Sequence, residues 1–156
     1  MRRLFFLCLV GILFFGAENS LAAEAVFFAG LGTEINANSP TAAAISAGLV
    51  LGLDISRHWA LGGRGSFSYN TSDFSVAESV AFIRRYLLPG SFGPFIQGEA
   101  GCTFIFSQDD PLFIFTGALA AGWRFRLAER GFIESALRFG YPFLFGIGLT
   151  AGIRSR

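Results

Sequence analysis

From Ala25 to Arg154 the chain alternates large apolar residues with glycine, small or charged ones. Successive residues of a strand point to opposite faces, so this period of two predicts strands with one greasy side. Eight segments of strand length stand out: 25–35, 42–54, 58–69, 76–88, 95–106, 112–125, 132–141 and 143–154. Turn-forming residues separate them, such as Asn36-Ala37-Asn38-Ser39-Pro40, Ile55-Ser56-Arg57 and Pro89-Gly90-Ser91-Phe92-Gly93-Pro94. In the second segment Ile45, Ala47, Leu49, Leu51 and Leu53 share one face, against Ala44, Ser46, Gly48, Val50, Gly52 and Asp54. The third sets Trp59, Leu61, Phe67 and Tyr69 against His58, Gly62, Arg64, Ser66 and Ser68. The eighth sets Phe143, Phe145, Ile147, Leu149 and Ile153 against Gly146, Gly148, Thr150, Gly152 and Arg154.

Eight strands close into a barrel whose interior is just wide enough for side chains. The glycine-rich face is therefore expected inside and the bulky face outside, the reverse of a soluble barrel. Composition agrees: 53% of residues are hydrophobic and 20 are phenylalanine, yet after the first segment of the chain no apolar stretch is long enough for a spanning helix. An apolar chain without such a helix points to strands with a lipid-facing side. The predicted fold is all-β: an eight-stranded antiparallel up-and-down transmembrane β-barrel. The competing reading is a helical inner-membrane hairpin built from 112–125 and 139–153.

The start of the chain has the make-up of a cleavable signal peptide over 1–23. Arg2 and Arg3 precede an apolar core from Leu4 to Phe15, and Ser20-Leu21-Ala22-Ala23 offers small-residue cleavage sites. The barrel then occupies 24–156. The formal net charge of the whole chain is +1 and falls to about zero without the signal, which excludes the basic balance of a nucleic-acid binder. One cysteine, Cys102, remains on the predicted lipid face, so no internal disulfide forms. Every basic residue is arginine, a side chain suited to buried bidentate pairing with carboxylates.

Trp59, Tyr69, Tyr86, Trp123 and Tyr141 all fall near predicted strand ends, where a ring can lie in hydrocarbon with its polar tip wet. With both termini on the periplasmic side, Trp59, Tyr86 and Trp123 form an inner girdle and Tyr69 and Tyr141 an outer one. Inward charges are expected at Glu34, Asp54, Arg64, Arg85, Glu99, Arg124, Glu134, Arg138 and Arg154. A buried ion demands a partner, and depth along the strands pairs Glu134 with Arg124 and Glu99 with Arg85. Arg84 is expected on the opposite face from Arg85, reaching the interface. His58, the single histidine, has no nucleophile or carboxylate at its depth, no metal spacing occurs, and Gly30-Leu31-Gly32 lacks the rest of a dinucleotide motif. No catalytic residue, metal or cofactor is expected. Asp73, Asp109 and Asp110 make the surface rim mildly acidic; they read as solvated turn residues ahead of a set holding divalent cations near lipopolysaccharide.

Arg85-Tyr86-Leu87-Leu88-Pro89, followed by Gly93-Pro94-Phe95-Ile96-Gln97-Gly98-Glu99-Ala100-Gly101, resembles the outer-membrane β-barrel domain family of small OmpA/OmpX-like and opacity-type, porin-family barrels. Gly122-Trp123-Arg124-Phe125 and the glycine-alternating last strand are also similar. The resemblance implies a bacterial outer-membrane location, surrounding lipid and lipopolysaccharide, periplasmic chaperones and the assembly machinery as partners, and a monomer. The chain departs from the pattern in ending Ile153-Arg154-Ser155-Arg156 rather than on an aromatic residue. The expected role is structural, with a plugged, ion-paired lumen. A narrow conduit for small solutes or apolar molecules is the alternative, ahead of a lipid A-modifying enzyme.

Overall fold

The computed structural model describes residues 25–39, 42–70, 75–106 and 111–155. The predicted signal segment and Asp73, Asp109 and Asp110 lie outside them. Eight strands follow in chain order: β1 (Val26–Ser39), β2 (Ala42–Asp54), β3 (Trp59–Asn70), β4 (Ser75–Tyr86), β5 (Gly93–Phe106), β6 (Leu112–Arg126), β7 (Gly131–Tyr141) and β8 (Phe145–Arg154). Each pairs antiparallel with its neighbours in sequence, and β1 pairs with β8 to close the barrel. The segments expected at 112–125 and 139–153 are strands, which removes the helical hairpin.

Two ends can be told apart. At the base β1 begins and β8 ends, and the connections β2–β3, β4–β5 and β6–β7 lie there; the other end is the rim. Ser155 seals the seam at the base, with its backbone N–H donating to the Phe27 carbonyl at 2.8 Å and its hydroxyl accepting from the Phe27 N–H at 3.0 Å.

The outer wall carries the bulky alternation of the sequence. Leu31, Phe115 and Leu119 are 71%, 80% and 70% exposed, and Leu49, Leu51, Ile147, Leu149 and Ile153 lie on the same wall. The inner face departs from expectation. It is not lined by small and charged groups alone, because Phe28, Phe82, Phe95 and Phe132 are buried near the base. Each faces an inward glycine on the neighbouring strand in direct register: Phe28 with Gly52, Phe82 with Gly62, Phe95 with Gly122 and Phe132 with Gly152. A Cβ built on any of these glycines would run into the facing ring. The glycines thus serve as seats for aromatic rings as well as leaving room for ions. Phe143, expected on the lipid face, is also buried, since β8 starts only at Phe145 and the preceding connection is free of the strand's alternation.

β4 runs opposite to its predicted phase. Val76, Glu78, Val80, Phe82, Arg84 and Tyr86 are buried, and the small Ala77, Ser79 and Ala81 face outward. Its large residues point in because its neighbours supply inward space: Gly62 opposes Phe82 on β3 and Gly101 opposes Val80 on β5.

Candidate functional site

Among the described residues the interior holds five guanidiniums and five carboxylates in one connected network, divided into two halves. The half nearer the rim is organised by Arg64 of β3 and Arg138 of β7. Arg64 Nη1 donates to Glu34 at 2.7 Å, and its Nη2 donates to Glu78 at 2.6 Å and Glu99 at 3.1 Å. Arg138 Nε donates to Glu99 at 2.8 Å, and its Nη2 lies 3.0 Å from the Glu78 carboxylate. Thr103 donates to Glu78 at 3.5 Å and shares a hydrogen bond with Thr116. Two cations here face three carboxylates.

The half nearer the base inverts that balance. Arg84 of β4 forks onto Glu134 of β7, with Nη1 to Oε1 at 2.6 Å and Nη2 to Oε2 at 3.1 Å. Arg124 Nε donates to the same Oε1, across a direct register pair. Asp54 receives Tyr86 Oη at 3.1 Å and lies 3.8 Å from Arg124 Nη1 and 3.5 Å from Arg154 Nη2. Three cations face two carboxylates. Gln97 joins the halves: its amide donates to Glu99 at 2.7 Å and its carbonyl oxygen accepts from Arg84 Nε at 2.7 Å. The excess acid of one half is thereby matched by the excess base of the other, within the span of one hydrogen-bonded side chain.

The aromatic rings hold the base cations where carboxylates do not. Arg124 is fully buried, and its Nη1 and Nη2 have no hydrogen-bond acceptor among the described residues. Its guanidinium carbon instead sits 4.2 Å from the Phe28 ring centre and 4.3 Å from that of Phe132. Arg84 sits 4.0 Å from the centre of Phe95. A desolvated cation over a ring face gains on the order of 2 kcal/mol, a partial replacement for the missing acceptors. Phe28, Tyr86, Phe95, Phe132 and Arg124 are the largest fully buried side chains, and together they close the base. Above them a cavity of about 60 Å³ remains, bordered by Glu34, Arg64, Arg84, Glu99 and Glu134. A space of that size has room for about four waters, far short of a continuous aqueous pore.

Of the nine inward charges expected from sequence, Glu34, Asp54, Arg64, Glu99, Arg124, Glu134, Arg138 and Arg154 meet inside. Arg85 does not. It points outward, its guanidinium 5.6 Å from the Trp59 ring, and Arg84 takes the lumen position. Glu99 consequently binds Arg64 and Arg138 rather than Arg85. Tyr86 is likewise displaced from the girdle: it is buried against Phe95 and bonded to Asp54. Both corrections follow from the phase of β4. Trp123, Tyr69 and Tyr141 are exposed on the outer wall, and Trp59 lies part-buried on it beside Arg85. His58 Nδ1 lies 3.1 Å from the Tyr86 carbonyl, which ties the start of β3 to the end of β4.

Glu78, like Arg84, is a network residue that sequence reasoning did not place inside. Its signal was present, for a carboxylate in mid-strand cannot face lipid. Placing Glu78 inward puts every even-numbered residue of β4 inside, Arg84 and Tyr86 included.

No family model matches the chain, and no curated protein matches its sequence. Solved structures share its fold. Neisserial surface protein A superposes with a TM-score of 0.60 at 13% identity, covering 85% of this chain and 96% of that one. The N-terminal β-barrel domain of Pseudomonas aeruginosa OprF gives 0.56 at 14% identity, with 84% and 97% covered. Ail, the attachment invasion locus protein of Yersinia pestis, gives 0.53 at 13% identity, with 84% and 97% covered. At such low identity these likenesses establish the architecture: a closed eight-stranded barrel of the outer-membrane type.

Proposed function

We propose that this chain is an integral protein of a bacterial outer membrane, exported by residues 1–23, whose barrel spans the bilayer as a closed body with a structural role in the envelope. The observation that carries this reading is the opposition of the two faces. The outer wall carries the bulky apolar side chains, with Arg85 its one charged strand residue among those described, while the paired ionic groups are collected inside. Strands of 10 to 15 residues are long enough to cross, since a tilted spanning strand needs about 9–11. Trp59 and Trp123 at the base and Tyr69 and Tyr141 at the rim stand where interfacial rings belong. Lipid and lipopolysaccharide surround such a wall, and periplasmic chaperones with the assembly machinery deliver it.

The packed base supports a closed lumen over a conduit. Four rings, Tyr86 and two guanidiniums occupy the cross-section that a solute would need. Recording from the purified protein in a planar bilayer tests this. The expected trace shows no steady conductance above the bare membrane; a stable open level would favour the conduit instead. In cells, loss of the chain is expected to raise uptake of hydrophobic dyes without altering lipid A.

A further inference from the structure

We propose that the outer wall around Arg85 and Trp59 binds the phosphate of an anionic phospholipid in the leaflet surrounding the base, an inference that rests on the membrane-spanning reading above. Among the described residues Arg85 is the single charged side chain at an outward strand position, and it forms no ion pair with any described carboxylate. Its neighbour Arg84 is committed to Glu134 and Gln97 inside. The two consecutive arginines therefore divide between lumen and lipid.

The surroundings of Arg85 are those of a headgroup site. Trp59 is its direct register partner on β3, and the ring lies 5.6 Å from the guanidinium. The Gly90 N–H donates to the Arg57 carbonyl at 3.0 Å, and the Tyr86 N–H to that of His58 at 2.7 Å. These bonds draw the β4–β5 connection against the β2–β3 turn, beside the strand end that carries Arg85. Ile55, Leu87 and Leu88, all exposed, offer apolar contact at the same end of the wall. An unpaired guanidinium on a lipid-facing wall extends toward the interface. The anion that meets it there is a phosphodiester, whose oxygens match the guanidinium fork. A net anionic headgroup is preferred over a zwitterionic one because no carboxylate of the described wall opposes it.

The test uses the chain with Trp123→Phe, leaving Trp59 as the only indole, folded into phosphatidylcholine vesicles that carry a minor fraction of brominated lipid. Brominated phosphatidylglycerol is expected to quench Trp59 as though enriched about fivefold over its bulk fraction, the effect of one arginine near an anionic surface. Brominated phosphatidylcholine should quench in proportion to its bulk fraction. Arg85→Gln should bring the first lipid down to the level of the second, with circular dichroism showing an intact strand spectrum. Equal quenching by both lipids, or enrichment that survives Arg85→Gln, overturns the site while leaving the spanning barrel in place. Absence of quenching by either lipid overturns the spanning reading, and the site with it.

Discussion

Glu134 is the point at which the network is easiest to break. It is the only described carboxylate in contact with Arg84, and it also accepts from Arg124. The side chains of these three residues are 6%, 3% and 0% exposed, so solvent does little to screen the change. Glu134→Gln keeps the volume and one acceptor oxygen but removes the charge. Arg84 is left with the neutral Gln97, and Arg124 with Asp54 at 3.8 Å and two rings. The base half then holds three cations against one carboxylate. Removing one partner of a buried pair destabilises by about 3–5 kcal/mol, and the retained contacts to Asp54 and Gln97 place the expected loss toward the lower figure. Urea unfolding of the barrel in lipid vesicles, followed by tryptophan emission, measures it. Adding Arg84→Met should recover about 1–3 kcal/mol, since the two residues are direct partners and their effects are coupled. Glu129→Gln in the exposed β6–β7 turn should stay within about 0.5 kcal/mol of wild type. A Glu134→Gln protein as stable as the Glu129→Gln control would mean that the charges are not buried together.

Further outcomes follow from the two faces. Leu49→Arg on the lipid-facing wall of β2 should destabilise by about 2–4 kcal/mol in the same unfolding assay. Gly52→Ala pushes a methyl into the Phe28 ring and should destabilise by about 1–3 kcal/mol, whereas Gly65→Ala, which meets open space on the outside, should be neutral or slightly stabilising. Phe132→Ala removes one of the two rings against Arg124 and should destabilise by about 3–5 kcal/mol. It should also raise ion leakage in planar bilayers if the aromatic base is what closes the lumen.

Most of the architecture was legible because the period of two is strict where glycine marks the inner face. β2 and β8 show this, with Gly48 and Gly52, or Gly146, Gly148 and Gly152, opposed by leucines and isoleucines. β4 was misread because side-chain size is a poor guide when a neighbour supplies the space. There Val80 and Phe82 point inward over glycines of β5 and β3, and alanines face out. The adjacent Arg84 and Arg85 gave no charge contrast with which to set the phase; Glu78 did, through the rule that mid-strand carboxylates face inward. The aromatic base was hidden for a related reason. Phe28, Phe95 and Phe132 are locally indistinguishable from lipid-facing phenylalanines, and only cross-strand register reveals the glycine seat opposite each. Arg64 joins Glu34, Glu78 and Glu99 across β1, β4 and β5, and only barrel closure brings those three together.

The outward orientation of the apolar alternation is tested most directly by a nitroxide scan of β2. Single cysteines at positions 44–54 would be placed in a Cys102→Ser background and folded into vesicles. Oxygen, which concentrates in hydrocarbon, should reach labels at 45, 47, 49, 51 and 53 strongly and those at even positions weakly, repeating every second residue with its maximum near Leu49. Strong oxygen access at the even positions, with the odd ones shielded, would contradict the assignment of faces.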